Sequence, residues 1–104
     1  MVALLDEADR YAQTGRPERA VATLERALRI EPRNAQLWHR LARVRFQQGQ
    51  FEQVVNLAAR SNSLAGNDTR LRAANWRLIG TARQRLGDES GAQKAFVKAR
   101  QYQP

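Results

Sequence analysis

The chain has 104 residues, 42% apolar and 27% charged, which fits one folded domain and not a disordered segment. No apolar run approaches the roughly 20 residues that cross a bilayer, no basic-then-apolar leader is visible, and the absence of Cys excludes disulfide and thiol chemistry while leaving both cytoplasm and periplasm open. The net charge of +8 is uneven, with residues 1–34 at zero, 35–68 at +2 and 69–104 at +6, so an acidic partner is favoured, whether protein, nucleic acid or anionic lipid.

In chain order, a first helix is predicted from about Ala3 to Thr14, with Gly15 as its stop. A second runs from Pro17, whose missing N–H is harmless in the first turn, to Ile30. Pro32 cannot continue it, and Asn34 is suited to cap the next. The third helix, Ala35 to Gln48, places Trp38, Leu41, Ala42 and Val44 on one stripe at three- and four-residue spacing. Gly49 closes it, because a residue without a Cβ takes the left-handed conformation of a helix end. Phe51 opens a fourth helix that runs to about Leu64. Asp68 or Thr69 starts a fifth, ending near Leu86, and Asp88 caps a sixth toward Tyr102. No strand pattern occurs, so the expected fold class is all-α.

The chain repeats itself. A step of 34 residues carries Leu4 onto Trp38, Ala8 onto Ala42, Gly15 onto Gly49, Ala20 onto Val54, Leu24 onto Ala58, Ala27 onto Ser61 and Pro32 onto Gly66. A further step of 38 carries Trp38 onto Trp76, Leu41 onto Ile79, Ala42 onto Gly80, Gly49 onto Gly87, Ala58 onto Phe96, Ser61 onto Ala99 and Gly66 onto Pro104. Three helix–turn–helix units follow, about 1–34, 35–68 and 69–104, forming a single domain. The four extra residues lengthen the first helix of unit three by about one turn. Small residues (Ala8, Ala42, Gly80, Ala20, Ala27, Ala92, Ala99) let helices approach, and Leu4, Trp38, Trp76, Leu24 and Phe96 fill the spaces between them.

These residues resemble the tetratricopeptide repeat family over essentially the whole chain. The resemblance is carried by Leu4, Ala8, Tyr11, Gly15, Ala20, Leu24, Ala27 and Pro32, then Trp38, Leu41, Ala42, Gly49 and Phe51, then Trp76, Ile79, Gly80, Gly87, Ala92, Phe96 and Ala99. Glu7 stands where the family prefers an apolar residue, and Arg45 and Arg83 stand where unit one has the aromatic Tyr11. The resemblance implies a right-handed α-α superhelix with a concave groove lined by first helices, acting as a non-catalytic protein-interaction scaffold. The implied groove positions are Leu5, Asp9, Ala12 and Gln13, then His39, Arg43, Phe46 and Gln47, then Arg77, Thr81, Gln84 and Arg85. The expected partner contacts are His39, Arg43, Phe46, Gln47, Arg77, Gln84 and Arg85: a basic strip with one aromatic, suited to an acidic or extended peptide. The plainer reading makes the arginines a solvated face and Phe46 a core residue.

One subclass of the family grips the carboxylate tail of heat-shock chaperones with Lys and Asn. This chain has Leu5, Asp9, Arg40, Ala74 and Leu78 at the matching positions, which argues against that ligand. His39 is the only histidine, so no multi-histidine metal site is available. Asp6, Glu7 and Asp9 favour the start of a helix through its dipole. No phosphate loop and no nucleophile–base pair is present, so neither an enzyme nor a cofactor is expected. The alternative function is nucleic-acid or anionic-surface binding by Arg70, Arg72, Arg77, Arg83, Arg85, Lys94, Lys98 and Arg100, with Trp76 and Tyr102 for stacking. All the basic residues except Lys94 and Lys98 are arginine, which genome composition explains as readily as bidentate recognition does. Lacking a polar helix after its last unit, the chain is expected to be a piece of a longer protein, or to self-associate near Phe96, Val97 and Tyr102. A bacterial origin is expected from the arginine usage and the short array.

Overall fold

Local chemistry sets where each helix begins and ends. The computed structural model describes residues 2–102, which form six helices: α1 Val2–Gln13, α2 Pro17–Ile30, α3 Ala35–Gln47, α4 Phe51–Leu64, α5 Thr69–Arg85 and α6 Glu89–Gln101. The expected ends differ from these by about one residue; Pro104, the expected breaker after unit three, lies outside the described residues. Asn34 Oδ1 accepts from the N–H groups of Gln36 and Leu37, Asp68 from Leu71, and Asp88 from Gly91, satisfying donors the first helical turn leaves open. Each turn within a unit is the same object. Arg16 N–H donates to Tyr11 C=O at 2.8 Å, Gln50 to Arg45 at 3.0 Å, and Asp88 to Arg83 at 2.9 Å. The glycine before each donor has φ of 74°, 76° or 82°, the left-handed residue this closing bond requires.

At 17 residues against 13 for α3, α5 has the predicted additional turn. Successive helices pack on each other, and α3 also touches α5, so first helices form one row and second helices another. The small residues are the most deeply buried: Ala8, Ala20, Ala27, Ala42, Ala92 and Ala99 lose nearly all their exposure, alongside Leu24, Leu37, Val54 and Ile79. Trp38 and Trp76 are half-buried and equivalent. Trp38 packs beside the core shared by units one and two and Trp76 beside the core of units two and three. The guanidinium of Arg60 sits 5.8 Å over the first ring, and the ammonium of Lys98, 38 residues later, 5.0 Å over the second.

The two departures at the Tyr11 position have a physical reason. Arg45 Nη1 donates to the Gln48 and Gln50 side chains, and Arg83 Nη1 to the Gly91 carbonyl. A guanidinium thus ties the turn where unit one uses an aromatic ring.

Gly80 shows how closely α5 and α6 meet. A Cβ built there would lie 2.6 Å from Phe96 Cε1 and 2.8 Å from Cδ1. Gly80→Ala should therefore lower stability by about 1–2 kcal/mol, overpacking outweighing the ~1 kcal/mol gain in helix propensity. Thermal unfolding checks this. Adding Phe96→Leu to Gly80→Ala should recover part of the loss, since the two positions share one contact.

Candidate peptide groove

The row of first helices carries three connected hollows, each placed by the helix phases. Between α1 and α3 lies one of about 200 Å³, lined by Ala8, Asp9, Ala12, Gln13, Arg40, Arg43 and Gln47. Between α3 and α5 lies one of about 440 Å³, lined by His39, Arg43, Phe46, Ala74, Arg77, Leu78 and Thr81. At the N-terminal end of α5 a third, of about 330 Å³, adds Gln36, Asp68, Arg70 and Leu71 to His39, Arg40 and Arg43. Arg43 lines all three and is exposed.

Charge in this groove is mainly positive, with Arg40, Arg43, Arg70 and Arg77 against Asp9 and Asp68. Arg40 Nη1 donates to Asp9 Oδ2 in the one ion pair found among the described residues. The Asp68 carboxylate accepts the Leu71 N–H. Arg43, Arg70 and Arg77 have no carboxylate partner among the described residues. They stand on rigid helices, which holds their separation without a ligand.

Four of the seven expected contacts, His39, Arg43, Phe46 and Arg77, meet around the α3–α5 hollow. The other three do not join them. Gln47 Nε2 donates to the Ala12 carbonyl at 3.1 Å, strapping α3 to α1, and lines the neighbouring hollow. Arg85, its equivalent 38 residues on, reaches back the same way: its guanidinium lies 5.5 Å over both Phe46 and Phe51, which meet edge to face. Gln84 is exposed and lines none of the hollows. Among the other implied positions, Leu5 packs against the core instead of opening to the groove.

Beneath His39 lies a polar chain that the repeat pattern conceals. Asn75 is fully buried. Its Nδ2 donates to Ser61 Oγ at 2.8 Å and to Asn62 Oδ1 at 3.0 Å, and Ser61 Oγ donates to the Ala35 carbonyl. Asn75 Oδ1 is therefore an acceptor, and His39 Nδ1, 2.6 Å away, carries the hydrogen. The signal was three polar residues at apolar register: Asn75 where Leu37 stands, Ser61 where Ala27 stands, and Asn62 where Leu28 stands.

Burial holds the His39 imidazole below its ordinary value of 6.5; the Asn75 bond opposes this, and Arg43, Arg40 and Arg77 add to the lowering. The unfolded chain therefore binds this proton at higher pH than the native state. Stability is full above about pH 6.5 and declines as pH falls toward the lower native value, then levels off. Urea midpoints at pH 7.5 and 5.5 should show that step, and His39→Asn should remove it.

The row of second helices carries a larger and more apolar cleft of about 760 Å³, lined by Leu28, Pro32, Trp38, Leu41 and Leu57 with Glu25, Arg29 and Arg45. Trp38 Nε1 donates to the Pro32 carbonyl, which closes one wall. No helix is long and apolar enough to cross a membrane, and the described residues contain no cluster of three metal-ligating side chains.

Three helix pairs with repeated turns, equivalent tryptophans and a first-helix row define a helical repeat array. The tetratricopeptide repeat family model matches residues 11–75, and the chain belongs to that family. The chain is similar to the globular C-terminal domain of P. aeruginosa LpoP, at 41% identity and a TM-score of 0.93, covering 95% of this chain and 93% of that one. It is also similar in fold to the second tetratricopeptide domain of Spaghetti (RPAP3), solved with the HSP90 peptide SRMEEVD, at 20% identity and a TM-score of 0.87, covering 98% of this chain and 91% of that one. No curated protein sequence matches. Members of this family are in general non-catalytic protein-interaction modules.

Proposed function

We propose that this domain is a non-catalytic scaffold that holds an acidic, extended peptide segment in the groove along α1, α3 and α5. The observation that carries this is the group Arg43, Arg70 and Arg77, none of them ion-paired among the described residues, around His39 and the half-buried Phe46. Guanidinium forks suit carboxylates, and Phe46 supplies an apolar contact between them. The Spaghetti domain adds support by fold, since its bound peptide carries two glutamates and an aspartate. Chaperone tails are a poor fit here. Asp9 and the aliphatic Leu5 and Leu78 occupy the clamp positions, and Arg40 is already paired.

Nucleic-acid binding has less to stand on. Arg72, Arg83, Arg85 and Lys98 are engaged within the chain, and the rings of Tyr102 and Trp76 each have one face covered by its own cation. Self-association at the C-terminal end would draw on one exposed residue of the three expected there. Phe96 lies against Gly80 and Tyr102 is half-buried, leaving Val97 as the exposed apolar residue of the three.

The test is a titration of two labelled probes at several salt concentrations: a blocked pentapeptide of four glutamates around one leucine, and a single-stranded oligonucleotide. The peptide should bind more tightly and lose affinity on replacing its leucine by glycine. Tighter oligonucleotide binding, with a log–log salt slope of about −0.9 per phosphate neutralised (about −0.7 for single strands), would favour the other reading.

A further inference from the structure

The inner edge of His39 is committed, and its outer edge has no hydrogen-bond partner among the described residues. With Nδ1–H held on Asn75 Oδ1, the neutral ring presents Nε2 as an acceptor only. The ring lines two of the hollows, beside Arg43, with Arg77 in one and Arg70 in the other. A carboxylate drawn in by these guanidiniums therefore meets a lone pair where it needs a donor. We propose that His39 is a proton-dependent recognition group: entry of an acidic segment places a solvent proton on Nε2, which then donates to a ligand carboxylate while Nδ1–H stays on Asn75. This rests on the acidic-peptide reading above and adds its regulation.

The charged groups around the ring support it. Arg40 and Arg43 lie on its own helix, Arg70 and Arg77 on α5, and Asp68 at the start of α5. Asp9 on α1 is tied to Arg40. From α4, Ser61 and Asn62 reach the ring only through Asn75 and do not titrate. In the empty groove, burial and then the arginines keep the ring neutral at pH 7. A bound carboxylate offsets those arginines and adds an opposite charge, so the imidazole value rises in the complex. Affinity then increases as pH falls from the bound-state value to the free-state value, and is flat outside that window.

His39 is the only histidine, so its ring resonances are a clean readout in the unmutated protein. The probe is the same blocked pentapeptide, followed by NMR titration of the His39 ring with and without peptide. Calorimetry at pH 6.5 in two buffers of different ionisation enthalpy supplies the proton count. The ring's titration should move up by about one unit on binding, with net proton uptake. Affinity should rise between pH 7.5 and 5.5, by up to about tenfold, the limit a one-unit shift sets. His39→Asn keeps an amide N–H toward Asn75 but cannot titrate; whatever its affinity at pH 7.5, that affinity should not change between pH 7.5 and 5.5. Peptide binding with an unmoved His39, or pH dependence that survives His39→Asn, overturns this proposal and leaves the groove reading intact. No peptide binding by the unmutated protein at either pH overturns the groove reading, and this proposal with it.

Discussion

Arg43→Glu should weaken capture of an acidic peptide by about 100-fold or more while leaving the fold intact. Arg43 lines all three hollows and is exposed, so its substitution removes a cation from every part of the groove without opening the core. A charge-assisted hydrogen bond contributes about 1.5–3 kcal/mol, and each 1.4 kcal/mol is a factor of ten. Arg43→Ala should therefore lose roughly tenfold, and charge reversal adds repulsion to that loss. Lys94→Glu is the control, because it changes net charge equally on the exposed face of α6. Its affinity should stay within about twofold, since a charge screened beyond about 10 Å contributes little. Equal losses in both variants would mean the whole-chain field, and not this groove, attracts the peptide. Thermal unfolding of Arg43→Glu should match the unmutated chain, as exposed substitutions act within about 0.5 kcal/mol.

Asn75→Leu should be strongly destabilising, at about 2–4 kcal/mol. It orphans the His39 Nδ1–H and the Asn62 Oδ1 together and removes the bond Ser61 Oγ accepts, leaving Ser61 only its donation to the Ala35 carbonyl, in a site closed to water. Asn62 Nδ2 is already buried without a partner, so the site has no slack. For a domain of this size each kcal/mol moves the melting midpoint by about 4–8 °C. The companion experiment restores the apolar register: Asn75→Leu with Ser61→Ala and Asn62→Leu, matching Leu37, Ala27 and Leu28. Removing both ends of a buried hydrogen bond is far milder than removing one. The triple variant should therefore melt above Asn75→Leu, and a triple variant that melts lower would contradict this account of the network.

Helix positions were legible in the sequence because their determinants are local. Pro17, Asn34, Asp68 and Asp88 start helices within one turn of themselves, and Gly15, Gly49 and Gly87 end them. The equivalence of Trp38 and Trp76 followed from the 34- and 38-residue steps. Side-chain reach was not legible. Arg85 and Gln47 share a groove phase with the residues of the α3–α5 hollow, yet each folds back onto the preceding unit, Gln47 lining the α1–α3 hollow instead. A long side chain chooses its partner from whatever surface lies within its length, which periodicity does not encode. Thr81, an implied groove position, and Arg70, expected only for the alternative basic surface, both line hollows with the expected cations. The Asn75 network was hidden because each polar departure is unremarkable alone. Only their convergence on one spot, 13 and 14 residues apart in sequence, makes a site.

The most direct measurement is a backbone and side-chain NMR map of the domain titrated with the blocked glutamate–leucine peptide. Shifts confined to α3 and α5, at His39, Arg43, Phe46, Arg77 and Thr81, with the Trp38 indole N–H unmoved, are the predicted result. Shifts gathered on Leu28, Trp38 and Leu57 would place the ligand in the second-helix cleft and contradict a basic first-helix groove.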